Sequence, residues 1–188
     1  MANPNCPIPN NINPLQPTGF QLAITKLPEV TFFCQTAVIP EIIISPVDMG
    51  TPFSLNKIPG DRISFGEFTI NFLVDENMTN YMSIWNWMIG LGFPENYTQY
   101  QDLLTSSQVS TQAGTSATGL LPKFGTLQGN YSDATLQVLG SNNVAVRTIH
   151  FIDLHPISLS SLEFKANTPD VQYLTGSATF GYTYFNLL

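Results

Sequence analysis

The hydrophobic period changes abruptly between positions 67 and 89, from "EFTINFLV" to "DENMTNYMSIWNWMI". In the first part Phe68, Ile70, Phe72 and Val74 alternate with Glu67, Thr69 and Asn71. That period of two belongs to a half-buried antiparallel strand with one face on a core. In the second part Met78, Tyr81, Met82, Trp85, Met88 and Ile89 recur at spacings of three and four, an apolar helical stripe. Asp75 is placed to cap that helix, Glu76 to favour its dipole, and Gly90, Gly92 and Pro94 to end it. A chain that carries both periods back to back folds as a sheet with a helix laid on it.

The remaining segments extend the sheet. "FQLAITKLP" and "VTFFCQTAVI" read as a hairpin, with Phe20, Leu22 and Ile24 on one face of its first strand. "PEIIISPVDMGTPFSLNKIPGD" is a short edge run followed by a loop closed at Pro59-Gly60-Asp61. "ATLQVLG" and "VAVRTIHFIDLHP" form a second hairpin around Ser141-Asn142-Asn143, with Leu136 and Val138 inward on one arm and Val144 and Val146 on the other. "ISLSSLEFKANTPD" is a further strand, and Ala178, Phe180, Tyr182 and Tyr184 share a face of the last. The expected fold is mainly β: an antiparallel sandwich or barrel of about seven strands with one packed α-helix. Residues 1–18, with five prolines, form an extended arm before a β domain over 19–188, which carries a long polar loop at about 95–130.

Composition removes several functions. Six Lys and Arg against thirteen Asp and Glu leave a net charge of −7, the wrong sign for binding a phosphate backbone. Only 10% of residues are charged, so most of the polar surface is uncharged and cheap to desolvate against other protein. The N-terminus lacks the basic and apolar regions of a signal peptide, and no apolar run is long enough for a spanning helix. Cys6 and Cys34 are read as two free thiols.

No catalytic set stands out. His150 and His155 flank Asp153, but in an uninterrupted strand the two imidazoles point to opposite faces, and His155 precedes Pro156 at an expected turn. Cys34 lies among aromatics rather than in an electropositive niche. There is no phosphate-binding glycine loop, nucleophile elbow or zinc spacing. No cofactor, metal or catalytic residue is expected, and the chain reads as a non-enzyme.

The order of elements, "FQLAITKLPEVTFFCQTAVIP", "GDRISF", "EFTINFLVDE", "NMTNYMSIWNWM", "FIDLHP" and "FGYTYF", resembles the tail tube proteins of contractile-tailed, T-even-type bacteriophages. The likeness covers roughly residues 19–92 and 133–186. It implies a structural subunit of six-membered rings that stack into a tube, with strands joined across subunits into an inner β-barrel through which DNA passes without specific binding. On that reading Glu67, Thr69 and Asn71 face the lumen, and Met78, Tyr81, Met82, Trp85, Met88 and Ile89 pack the helix on the barrel's outer side. The partners implied are further copies of the chain, tail sheath and baseplate proteins; the location implied is the virion tail, assembled in the host cytoplasm. The alternatives are a tube-fold baseplate initiator or neck terminator, and a carbohydrate-binding β-sandwich module.

Overall fold

The computed structural model describes residues 13–50, 52–106, 130–165, 167 and 172–188. The expected arm before residue 13, Cys6 within it, and most of the expected loop lie outside the described residues.

The sheet is built from β1 (Phe20–Ile24), β2 (Cys34–Ala37), β7 (Phe68–Leu73), β8 (Ser132–Leu139), β9 (Ala145–Leu159), β10 (Thr175–Gly181) and β11 (Tyr184–Leu187). Its order is β1-β8-β9-β10-β7-β2, with β11 added on β9 and every pairing antiparallel. Four further strands, β3 (Ile42–Ile44), β4 (Val47–Gly50), β5 (Leu55–Ile58) and β6 (Ile63–Phe65), pair only among themselves. Three helices complete the described chain: α1 (Pro28–Phe33), α2 (Thr79–Gly92) and α3 (Thr98–Ser106). The sheet is not a closed barrel, because β1 and β2 end it as unjoined edges.

The sheet curls until its two halves meet. Phe68 of β7 and Phe151 of β9 have ring centroids 4.4 Å apart, and Phe180, Phe185 and Tyr182 pack around them. What allows the curl is β9, which serves two ladders: its first part pairs with β8 and β11, its last with β10. At the changeover Asp153 has φ +59°, a left-handed residue in mid-strand. Ile149 and Phe151 point inward before it, Leu154 and Pro156 after it. The extra residue shifts the alternation by one, so His150 and His155 both lie off the core instead of on opposite faces. The strand also continues through Pro156 to Leu159, where a turn was expected.

Several local expectations change for identifiable reasons. The segment after β1 is a helical turn, not a second hairpin arm: Pro28 stands at its start, and Leu27 and Val30 are buried. β1 and β2 consequently lie at opposite ends of the sheet path. On β9 the inward positions are Ile149 and Phe151, while Val144 and Val146 are exposed beside the turn. Phe185 replaces Tyr184 in the core because the chain breaks between β10 and β11. Residues 98–106, expected as loop, form α3.

Helix α2 is rotated from the expected stripe. Its buried residues are Asn80, Ile84, Trp87 and Gly90. Met82 and Trp85 are 43% and 44% exposed, whereas Met78, Tyr81, Met88 and Ile89 are half-buried at its margins. Two contact positions carry residues that an apolar count ignores. Asn80 accepts from the Asp75 and Tyr81 N–H groups and donates to the Leu73 carbonyl at 2.7 Å, tying strand to helix. Asp75, the expected cap, instead accepts from the Thr79 hydroxyl. Gly90 is no helix stop; a Cβ there would lie 2.8 Å from that of Leu103, so the glycine lets α3 approach α2. The helix ends two residues later, where Phe93 adopts a left-handed φ of 32° and donates its N–H to Ile89.

Candidate assembly surfaces

Three surfaces have no counterpart within the described chain. The first is the segment 42–65, an extended hairpin of two consecutive ladders. Ile42, Ile43 and Ile44 pair with Phe65, Ser64 and Ile63, and Val47 to Gly50 with Ile58 to Leu55. Antiparallel partners share a face, so Ile42, Ile44, Ile63 and Phe65 form one apolar patch. Val47, Met49 and Ile58 form another. Gly60 sits at the pinch between the ladders against the Ser45 carbonyl, with no room for a side chain. Every described residue of the hairpin is exposed except Gly60, and Phe53 near its tip is 99% exposed. The base is anchored by Phe65 against Tyr182 and Phe185. A lone two-stranded hairpin is marginal in water, so one with two apolar patches requires a covering surface. The sequence signal was present as apolar runs mirrored about Pro52-Phe53-Ser54, but the interrupting prolines had suggested a loop.

The second surface is the sheet face turned from the core. Thr36, Asn71 and Ser177 lie in one cross-strand row, and Thr69, Thr179 and Ser158 in the next. The Thr69 and Thr179 hydroxyls are 3.4 Å apart. On the other half of the sheet Gln21, Gln137 and Thr148 form a row, as do Ala23, Thr135, His150 and Asn186. None of these side chains is acidic or a Lys or Arg. Glu67 and Asn71 are exposed and Thr69 half-buried, so all three expected lumen residues stand off the core.

The third surface is a cleft of about 350 Å³ where the two end strands approach each other. Phe20 of β1, Ala37 of β2, Val138 of β8, and Leu15, Pro17 and Ile39 beside them give it a mainly apolar lining, with Gln16, Gln35 and Thr36 as its polar part.

The titratable groups offer structure rather than chemistry. Burial lifts the free Cys34 thiol to about 11, against the direction a nucleophile needs. It also lowers Lys26 to about 8, with the ammonium 4.9 Å from the Trp87 ring centroid, and raises Tyr182 to about 12. The Tyr182 hydroxyl donates to the Gly66 carbonyl at 2.7 Å, fastening the end of the hairpin segment to the body. Asp153 accepts from the Thr183 hydroxyl and His155 packs edge-on to Tyr131. Among the described residues no three His, Cys, Asp or Glu side chains gather as a metal set.

Known proteins with this arrangement are parts of contractile machines. The chain is 27% identical over 161 residues to the tail tube terminator protein of Enterobacteria phage T4, covering 84% of this chain and 77% of that protein. Among solved structures, the tube-terminating cap of the anti-feeding prophage superposes with a TM-score of 0.61 at 13% identity, over 100% of this chain and 99% of the other. The fold is that of the tube and terminator proteins. A chain of the sheath/tube terminator of an extracellular contractile injection system, PVC, aligns with a TM-score of 0.56 at 12% identity, covering 94% and 97% of the two chains. One from that system's sheath-tube complex gives 0.56 at 12% identity over 93% and 91%. No protein-family model matches the chain. The chain is thus similar in sequence to a tube terminator and in fold to tube-associated structural proteins, a wider group than the T-even tail tubes.

Proposed function

We propose that this protein is a ring-forming structural subunit that terminates the tube of a contractile phage tail or related injection machine. The observation that carries the reading is the sequence likeness to a tail tube terminator along 84% of the chain. The full-length superposition on a tube-terminating cap supports it. The protein is not an enzyme; its work is to close on copies of itself and on the tube end. The exposed 42–65 hairpin and the open edges β1 and β2 supply surfaces that a ring would cover.

In a six-membered ring the off-core sheet face would line the channel, with Glu67, Thr69 and Asn71 among its lining residues. Uncharged hydroxyls and amides with a few carboxylates would offer DNA no cationic grip, so the duplex would slide past. Met78, Tyr81, Met88 and Ile89 would lie on the outward side, with the exposed Met82 and Trp85 available to sheath or baseplate neighbours. The product would reside in the virion tail after assembly in the host cytoplasm.

The main tube subunit is the second reading, favoured by the sheath-tube likeness. Electron microscopy of the purified protein over a wide concentration range separates the two. Single closed rings that never stack, and that arrest growth when added to polymerising tube subunits, are expected of a terminator. Long tubes of this protein alone would make it the tube subunit, and monomers at every concentration would contradict ring formation.

A further inference from the structure

We infer that Phe53 of one copy inserts into the apolar cleft between β1 and β2 of the next copy, making a head-to-tail contact. The inference rests on the ring reading above and names the residues that join neighbours. Phe53 is 99% exposed, so it touches almost nothing in its own chain. An aromatic ring held at the end of a hairpin, outside any core, leaves its full hydrophobic surface in water.

The cleft has room for it: the open depression measures about 350 Å³, and an enclosed apolar cavity of about 150 Å³ already accepts a benzene ring. No charged residue lines it, and the hairpin tip from Met49 to Asn56 is uncharged as well. Charge depletion on both sides is what the desolvated centre of an interface requires.

Beyond Phe53 itself, Met49 and Leu55 near the tip are 52% and 72% exposed, so the contact can extend past the single ring toward the roughly 800 Å² that each partner contributes to a standard interface. Knob and cleft lie on different parts of the chain. Joined head to tail, they make a heterologous contact that repeats around a ring where the rotation closes, whereas a reciprocal exchange would end at a dimer. The free backbone edges of β1 and β2 flank the cleft, so an entering segment meets hydrogen-bonding groups as well as apolar side chains.

The test is a photo-crosslinking amino acid, p-benzoylphenylalanine, placed at position 53 of the full chain. Irradiation followed by peptide mapping is expected to join it to residues 15–20, 35–39 or 136–138 of a second copy. In parallel, Phe53→Ser should raise the concentration for half-assembly by about 10- to 100-fold, and Phe53→Leu by less. Neither change touches the core, so below the assembly concentration circular dichroism and melting should match the native chain. Rings whose cross-links map elsewhere, or rings unaffected by Phe53→Ser, would overturn this contact while leaving the ring reading intact. A native chain that stays monomeric would overturn both.

Discussion

Strand β7 and the hairpin beside it are built from similar residues with opposite fates. In β7, Phe68, Ile70 and Phe72 are fully buried between β10 and β2. A few residues upstream, Ile42, Ile44, Ile58 and Ile63 are each between 43% and 52% exposed. Both segments have strong β propensity, so propensity does not separate them. The difference lies in what each can reach. β7 finds the rings of Phe151 and Phe180 inside its own curled sheet, whereas the hairpin pairs only with itself. The body satisfies its apolar surface within one chain, and the hairpin leaves its own exposed.

This contrast is broken most severely in the body. Phe68→Ala removes a fully buried ring stacked on Phe151 and should cost about 3–5 kcal/mol, measured by urea denaturation. Asn80→Ala should cost about 1–3 kcal/mol, since it strands the Leu73 carbonyl and Asp75 amide. Gly90→Val, read by the same titration, should cost about 1–3 kcal/mol through collision with Leu103.

The hairpin should answer oppositely. Leu55→Ser, at a residue 72% exposed, should change monomer stability by no more than about 0.5 kcal/mol while impairing assembly seen by sedimentation. An equal loss of monomer stability there would erase the distinction between the regions.

The smallest effect is a pH slope at Lys26. Burial lowers its folded pKa from 10.5 to about 8, so between those values the unfolded chain binds the proton and the folded chain does not. Stability therefore rises with pH across that window. Cys34, raised from 9.0 to about 11, and Tyr182, raised from 10.0 to about 12, act in the opposite sense, with stability falling above pH 9 and 10 respectively. The interval from pH 8 to 9 isolates the lysine. Lys26→Met should flatten the slope of melting temperature there.

The sequence made local alternation legible, and long-range closure much less so. The inward run Phe68-Ile70-Phe72, the presence of a helix after it, and the β8–β9 hairpin with its Asn143 turn were all readable from spacing and turn residues. The phase of α2 was not, because Asn80 and Gly90 make core contacts by hydrogen bonding and by smallness rather than by hydrophobicity. The reversal at Asp153 was hidden because one left-handed residue exchanges the faces of everything after it. Helix α1 was signalled by Pro28 and Glu29, yet the aromatic run that follows outweighed them. Alternation put Glu67, Thr69 and Asn71 off the core face, where the structure has them, and their facing a lumen is part of the proposed function. The hairpin and cleft went unread, since alternation shows which face is apolar but not whether its partner is in the same chain.

Amide hydrogen exchange across a concentration series tests the central claim most directly. The amides of 68–73 should be protected at every concentration, and those of 42–65 should become protected only where the protein assembles. A hairpin fully protected in the monomer, or one that exchanges freely within assembled rings, would contradict the account.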